Sequence, residues 1–130
     1  MSSRRILLIE DELISRKVIA DTLTHAGYSV MTCEGGKAAL VELKKEPSDY
    51  RVIILDRLMP GMDGIQFLKL LQQEKLLENK AVIMLTTVKD NEAIVDALEA
   101  GVQEYLTKPV DPDQLLSLIR ELISSQKIIK

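Results

Sequence analysis

Acidic, hydroxyl and amine side chains follow short apolar runs at four places in this chain. Val52-Ile53-Ile54-Leu55 ends in Asp56, and Ile6-Leu7-Leu8-Ile9 ends in Glu10-Asp11-Glu12. Val82-Ile83-Met84-Leu85 ends in Thr86-Thr87, and Tyr105-Leu106-Thr107 runs into Lys108-Pro109. Apolar runs of this length, bounded by turn signals, read as buried strands. Groups at strand exits sit on the rim of a sheet, where α/β folds build ligand sites. Carboxylates gathered at 10, 11 and 56 would repel one another and call for a cation. Their hard oxygens suit magnesium, which takes a few carboxylates together with phosphate oxygens and water. Lys108 adds a compact cation able to reach a phosphoryl oxygen, and Thr86 adds a hydroxyl.

Each of these residues also has a plainer role. Asp is a common turn former, and acids favour a helix N-terminus electrostatically; Glu12 is assigned that second role. Thr87 reads as an ordinary strand residue. His25, at a helix end in a polar context, reads as a surface residue. Cys33 reads as a small apolar core residue.

The elements that must position the group alternate between strand and helix. Strands are expected near 5–9, 28–33, 51–55, 81–85 and 103–107. Helices are expected near 13–25, 36–46, 64–74, 90–99 and from 112 onward. In the first helix Ile14, Val18, Ile19 and Leu23 recur at helical spacing and are expected to face inward. Gly27 and Gly101 read as helix stops. Asp63 and Asp111 read as N-caps, the latter with Pro112 in the first turn and Gln114 in capping-box position. Leu115, Leu118, Ile119 and Leu122 share one face of the last helix. Strict alternation with fully apolar central strands implies a parallel sheet covered on both faces.

A chain of 130 residues, 46% of them apolar, suits one domain with a packed core. The net charge of −3 and the lack of a basic patch interleaved with aromatics argue against direct nucleic-acid binding. A single cysteine excludes an internal disulfide and fits a reducing compartment. The N-terminal apolar stretch is too short for a signal peptide, and no stretch is long enough to span a bilayer. A cytoplasmic location without membrane attachment is therefore expected. Residues 1–124 are assigned to the domain and 125–130 to a C-terminal tail or linker stub.

Taken together, Glu10-Asp11, Asp56, the turn Met59-Pro60-Gly61-Met62-Asp63-Gly64, Thr86 and Lys108-Pro109 resemble the receiver domain of two-component response regulators. The resemblance covers essentially the whole chain. It implies a flavodoxin-like (βα)5 fold of strand order 2-1-3-4-5, with the first and third strands at the topological switch point. It implies that Asp56 accepts a phosphoryl group from a histidine kinase or a histidine phosphotransfer protein. It assigns Asp11 and Asp56 as direct magnesium ligands, Glu10 largely through water, and the Leu58 backbone carbonyl as a further ligand, with manganese as a substitute ion. Thr86 and Tyr105 take the positions of the family's switch pair. Leu58 and Val88 occupy positions that modulate hydrolysis; both are apolar here, which implies a long-lived aspartyl phosphate. A cis Lys108-Pro109 bond occurs in the family, although X-Pro bonds are usually trans.

The output is expected to be a downstream effector protein or a C-terminal output domain lost from a longer regulator. Asp96, Glu99, Glu104 and Asp111, against Arg120, leave monomer and phosphorylation-linked dimer both open. Two rival readings are weighed. One is an adaptor of receiver fold that no longer uses phosphate, which the presence of Asp11, Asp56, Thr86 and Lys108 disfavours. The other is a magnesium phosphohydrolase working through an aspartyl phosphate. Such enzymes usually carry a second acid two residues after the nucleophile, where this chain has Leu58. The domain is thus expected to be a self-phosphorylating switch and not a turnover enzyme.

Overall fold

Five apolar segments pair side by side in the computed structural model, which describes residues 5–59, 61–87 and 91–128. The strands are β1 (Arg5–Ile9), β2 (Ser29–Cys33), β3 (Tyr50–Asp56), β4 (Ala81–Thr86) and β5 (Glu104–Thr107). All four pairings are parallel, and the order is 2-1-3-4-5. The connecting helices are α1 (Leu13–His25), α2 (Gly36–Lys45), α3 (Gly64–Gln73), α4 (Asn91–Glu99) and α5 (Pro112–Ile128). This is the parallel sheet expected from the alternation, in the flavodoxin-like strand order that the family resemblance implies.

Alternate residues of the central strands enter opposite layers, as the pleat requires. Leu7, Ile9, Ile53, Leu55, Val82 and Met84 pack on the side that carries Ala39, Leu43, Phe67, Leu68, Leu71 and Ala97 of α2, α3 and α4. Ile6, Leu8, Val52, Ile54, Ile83 and Leu85 pack on the other side, against Ile19 and Leu23 of α1 and Leu115, Ile119 and Ile123 of α5. Continuous burial of β1, β3 and β4 explains why their sequences are runs of Val, Ile and Leu instead of an alternation.

The helix ends follow local chemistry. Asp63 accepts from the Ile65 amide at 2.7 Å and caps α3, and Asp111 accepts from the Asp113 amide at 3.0 Å before α5. Gly27 and Gly101, with φ of +97° and +102°, turn the chain after α1 and α4. Leu118 and Leu122 pack partly buried beside Leu115 and Ile119. Residues 125–128, expected as the start of a tail, continue α5.

One packing expectation is overturned. Ile14 and Val18 are exposed, at 69% and 54%, while Ile19 and Leu23 are buried. At 100° per residue Ile14 lies about 140° around the helix from Ile19, so both cannot face one sheet. The inward stripe of α1 is narrower than its apolar content suggests. Among the described residues, no helix is long and apolar enough to cross a membrane.

Candidate functional site

The sheet's C-terminal edge delivers the expected side chains to one place. The last β1 residue, Ile9, pairs with Cys33 on one side and Leu55 on the other. Glu10 follows, and its amide donates to the Cys33 carbonyl at 3.0 Å. Glu12 then caps α1 by accepting from the Ser15 amide at 2.9 Å, and this bond holds its carboxyl below the usual range. That is the helix-capping role expected of it.

Asp56 is the last residue of β3, in register with Leu85. The Arg57 amide still donates to the Leu85 carbonyl at 2.8 Å, so the strand exit is held up to the residue after Asp56. The chain then folds back on itself. Leu58–Met59 pairs antiparallel with Met62–Asp63, Gly61 takes φ +78°, and the Gly64 amide donates to the Arg57 carbonyl at 2.6 Å. A Cβ on Gly64 would lie 3.0 Å from both the Cα and the carbonyl oxygen of Arg57, so this closure favours glycine.

Thr86 ends β4 almost fully buried, and its carbonyl accepts from the Lys108 amide at 2.8 Å. That bond extends the β4–β5 pairing and places Lys108 at the rim. The Lys108–Pro109 peptide is cis.

The side chains then meet. Lys108 Nζ lies 2.6 Å from Glu10 Oε1 and 3.1 Å from Asp56 Oδ2. The second Glu10 oxygen accepts from the Glu12 amide at 3.1 Å. Glu10, Asp11 and Asp56 each offer a carboxylate oxygen within 4.8 Å of the others. Glu10 and Asp56 are buried, and Asp11 is the most open of the three. Burial pushes the Glu10 carboxyl above its ordinary value, and the Asp56 carboxylate adds to this against the pull of Lys108. Burial pulls the Lys108 ammonium down, but its bonds to Glu10 and Asp56 outweigh that and hold it above its ordinary value. Three carboxylates against one ammonium leave a local excess of negative charge, so the donor set fits a hard divalent cation.

The remaining residues fall around this centre. The Leu58 amide approaches Asp56 Oδ1 at 3.4 Å while its side chain is 58% exposed, forming an apolar rim. Tyr105 is half-buried in β5, in register with Met84 and packed on the layer under α2, α3 and α4. Val88 lies outside the described residues. Cys33 is buried in the core, and His25 is exposed with Nδ1 2.8 Å from the Asp21 carbonyl. An open groove of about 530 Å³ between α3 and α4 mixes Arg57 and Lys69 with Asp63, Asp96 and Glu99; it contains none of Glu10, Asp11 and Asp56.

One contact has no counterpart in the motif reading. Arg16 Nη1 donates to the carbonyl oxygens of Glu10 and Asp11, at 3.0 and 3.3 Å. The signal available for it was directional. A long side chain near a helix start points back over the preceding loop.

Comparison with known proteins gives a consistent result. The family model for the response regulator receiver domain matches residues 6–120. The chain is 35% identical over 121 residues to the phosphate regulon transcriptional regulatory protein PhoB of Escherichia coli (strain K12), covering 93% of this chain and 52% of PhoB. It thus spans about half the length of the PhoB proteins it matches. It is 33% identical over 122 residues to a chemotaxis protein CheY homolog of Campylobacter jejuni, covering 93% of each. A CheY-like receiver domain protein from Methanospirillum hungatei JF-1 superposes with TM-score 0.89 at 28% identity, covering 99% of this chain and 100% of that one. Chemotaxis protein CheY4 of Vibrio cholerae does so with TM-score 0.85 at 30% identity, covering 93% and 99%. The chain belongs to the response regulator receiver domains, the signalling modules of two-component systems.

Proposed function

We propose that Asp56 accepts a phosphoryl group from a phosphohistidine on a histidine kinase or histidine phosphotransfer protein. The observation that carries this is the position of Lys108 Nζ, between Glu10 Oε1 and Asp56 Oδ2 at 2.6 and 3.1 Å, with Asp11 in the same acidic group. An Asp56 oxygen attacks phosphorus in line, the O–P bond forms as the N–P bond breaks, and the imidazole leaves and takes up a proton. Lys108, already against Oδ2, meets a phosphoryl oxygen as charge builds there. The Thr86 hydroxyl donates to another.

Asp11, Asp56 and the Leu58 carbonyl would hold a magnesium ion directly and Glu10 largely through water, with manganese able to substitute. When bound, that ion supplies positive charge against the transferring phosphoryl oxygens. Phosphoryl acceptance and slow self-dephosphorylation are the chain's own chemistry, without turnover of an external substrate.

The phosphoryl group adds charge of about −1.5 to −2 at the rim. Thr86 moves toward it and Tyr105 turns inward, which shifts an existing equilibrium of the α4-β5-α5 face. A downstream effector protein, or an output domain joined to this one, reads that face in a cytoplasmic setting. The modified chain acts as a monomer or a phosphorylation-linked dimer.

The test is incubation with magnesium and acetyl phosphate followed by intact mass, with Asp56→Asn beside it. One added phosphoryl group in the parent and none in the variant is the expected result. No addition to a chain that binds magnesium would favour a phosphate-independent adaptor.

A further inference from the structure

We propose that Arg16 is a positioning residue that sets the orientation of the two acids at the β1 exit, an inference that rests on reading Glu10, Asp11 and Asp56 as a magnesium site. Past the Glu10 amide, which still donates to the Cys33 carbonyl, the chain crosses from sheet to α1 at Asp11 and Glu12. Two successive peptide carbonyls in that crossing, those of Glu10 and Asp11, accept from the same nitrogen, Arg16 Nη1. Tying both carbonyls to one guanidinium fixes two adjacent peptide planes. The carbonyls face Arg16, and the Glu10 carboxylate extends to Lys108.

The arrangement separates two kinds of neutralisation. Lys108 bonds carboxylate oxygens themselves, so it competes with any cation for them. Arg16 spends its Nη1 donors on backbone carbonyls and leaves the carboxylate oxygens available. The side chain is only 15% exposed, and it is the bonds to the carbonyls that hold it. Its approach to Glu34, at 3.9 Å on a carboxylate 83% exposed, adds little. A lysine at this position keeps the charge, but its rotating tetrahedral ammonium does not hold two N–H donors in one fixed plane.

The experiment titrates magnesium chloride calorimetrically into the full chain, into Arg16→Lys and Arg16→Gln, and into Asp11→Asn as a ligand-loss control. Amide spectra without magnesium are recorded for each. Arg16→Gln should bind magnesium roughly tenfold more weakly, in the range seen when groups that orient metal ligands are removed. Arg16→Lys should fall between Arg16→Gln and the parent. Amide shifts should concentrate at residues 10–12, and saturating magnesium should restore Asp56 labelling by acetyl phosphate. Equal magnesium affinity in the parent and both Arg16 variants overturns the inference while leaving the magnesium site standing. Amide shifts spread through the sheet, with labelling lost even at saturating magnesium, overturn it in favour of a general structural role. No magnesium uptake by the parent overturns the site reading and this inference together.

Discussion

Lys108 stands closer to Glu10 than to Asp56, by 2.6 Å against 3.1 Å, across a sequence separation of 98 residues. The ammonium must therefore share the acids with any incoming cation. Lys108→Ala should therefore raise magnesium affinity. One unit charge removed at about 4 Å is worth roughly 1 kcal/mol even at the dielectric of water, so affinity should rise by at least about fivefold. Phosphoryl uptake at Asp56 should fall in the same variant. Calorimetric titration decides it, and unchanged or weaker binding would count against the competition.

Alkaline pH should destabilise the chain before acid chemistry at the rim matters. Burial pushes the Cys33 thiol up from 9.0 to about 11. Burial and the bond to Glu42 raise the Tyr50 phenol, and Lys108 is raised by its two carboxylates against the opposing effect of burial. The folded chain keeps these protons to higher pH than the unfolded chain does. Stability is therefore fully present below pH 9 and falls as pH climbs through the folded values. The Cys33 thiol contributes part of that loss. Urea melts from pH 8 to 11 should show the loss, and Cys33→Ala should flatten it.

The exposed Leu58 side chain cannot hydrogen-bond an attacking water. The aspartyl phosphate should accordingly persist in the purified protein. Leu58→Gln should shorten its half-life by about tenfold, less than the roughly 10²–10⁴ of a full general base. Label retention after removal of the phosphodonor measures this. An equal half-life in both proteins would refute the role of the apolar rim.

Gly64→Ala should cost about 1–3 kcal/mol, because the added methyl meets backbone atoms of Arg57 that cannot rotate away. The displaced Arg57 would carry Asp56 with it, so uptake from acetyl phosphate should slow as well. A variant with unchanged melting and unchanged uptake would show that the loop closes without that contact.

Tyr105→Ala should leave phosphoryl uptake intact and uncouple it from partner binding, since the tyrosine packs partly buried on the core in register with Met84. Affinity for a partner measured with and without modification tests this. An equally phosphorylation-dependent affinity in the variant would rule out the tyrosine as the relay.

Much of this arrangement was legible because strand exits obey simple rules. Runs such as Val52–Leu55 are long enough to be buried, and the first polar residue after each must reach the rim. That logic places Glu10, Asp56, Thr86 and Lys108 without any contact information. The helix caps at Asp63 and Asp111 were equally readable, since each is a local bond. Two features were not readable. Ile14 and Val18 fit helical spacing, but spacing cannot say which of two apolar rows meets the sheet, and the burial of Ile19 and Leu23 decides it. Arg16 was missed because its partners are backbone carbonyls, which carry no residue identity for a motif to record.

The parallel ladder also imposes an order on synthesis. Asp56 emerges from the ribosome in the middle of the chain, and Lys108 follows only after two more helices and two more strands. Until then the β1 and β3 acids face one another without their ammonium. On the proposed function, a nascent chain that lacks Lys108 should accept phosphoryl groups poorly, because the residue that completes the electrostatics is made late. If Asp56 is the acceptor, its competence is coupled to completion of the sheet, and loss of the final strand and helix should silence it even where Asp56 itself is untouched.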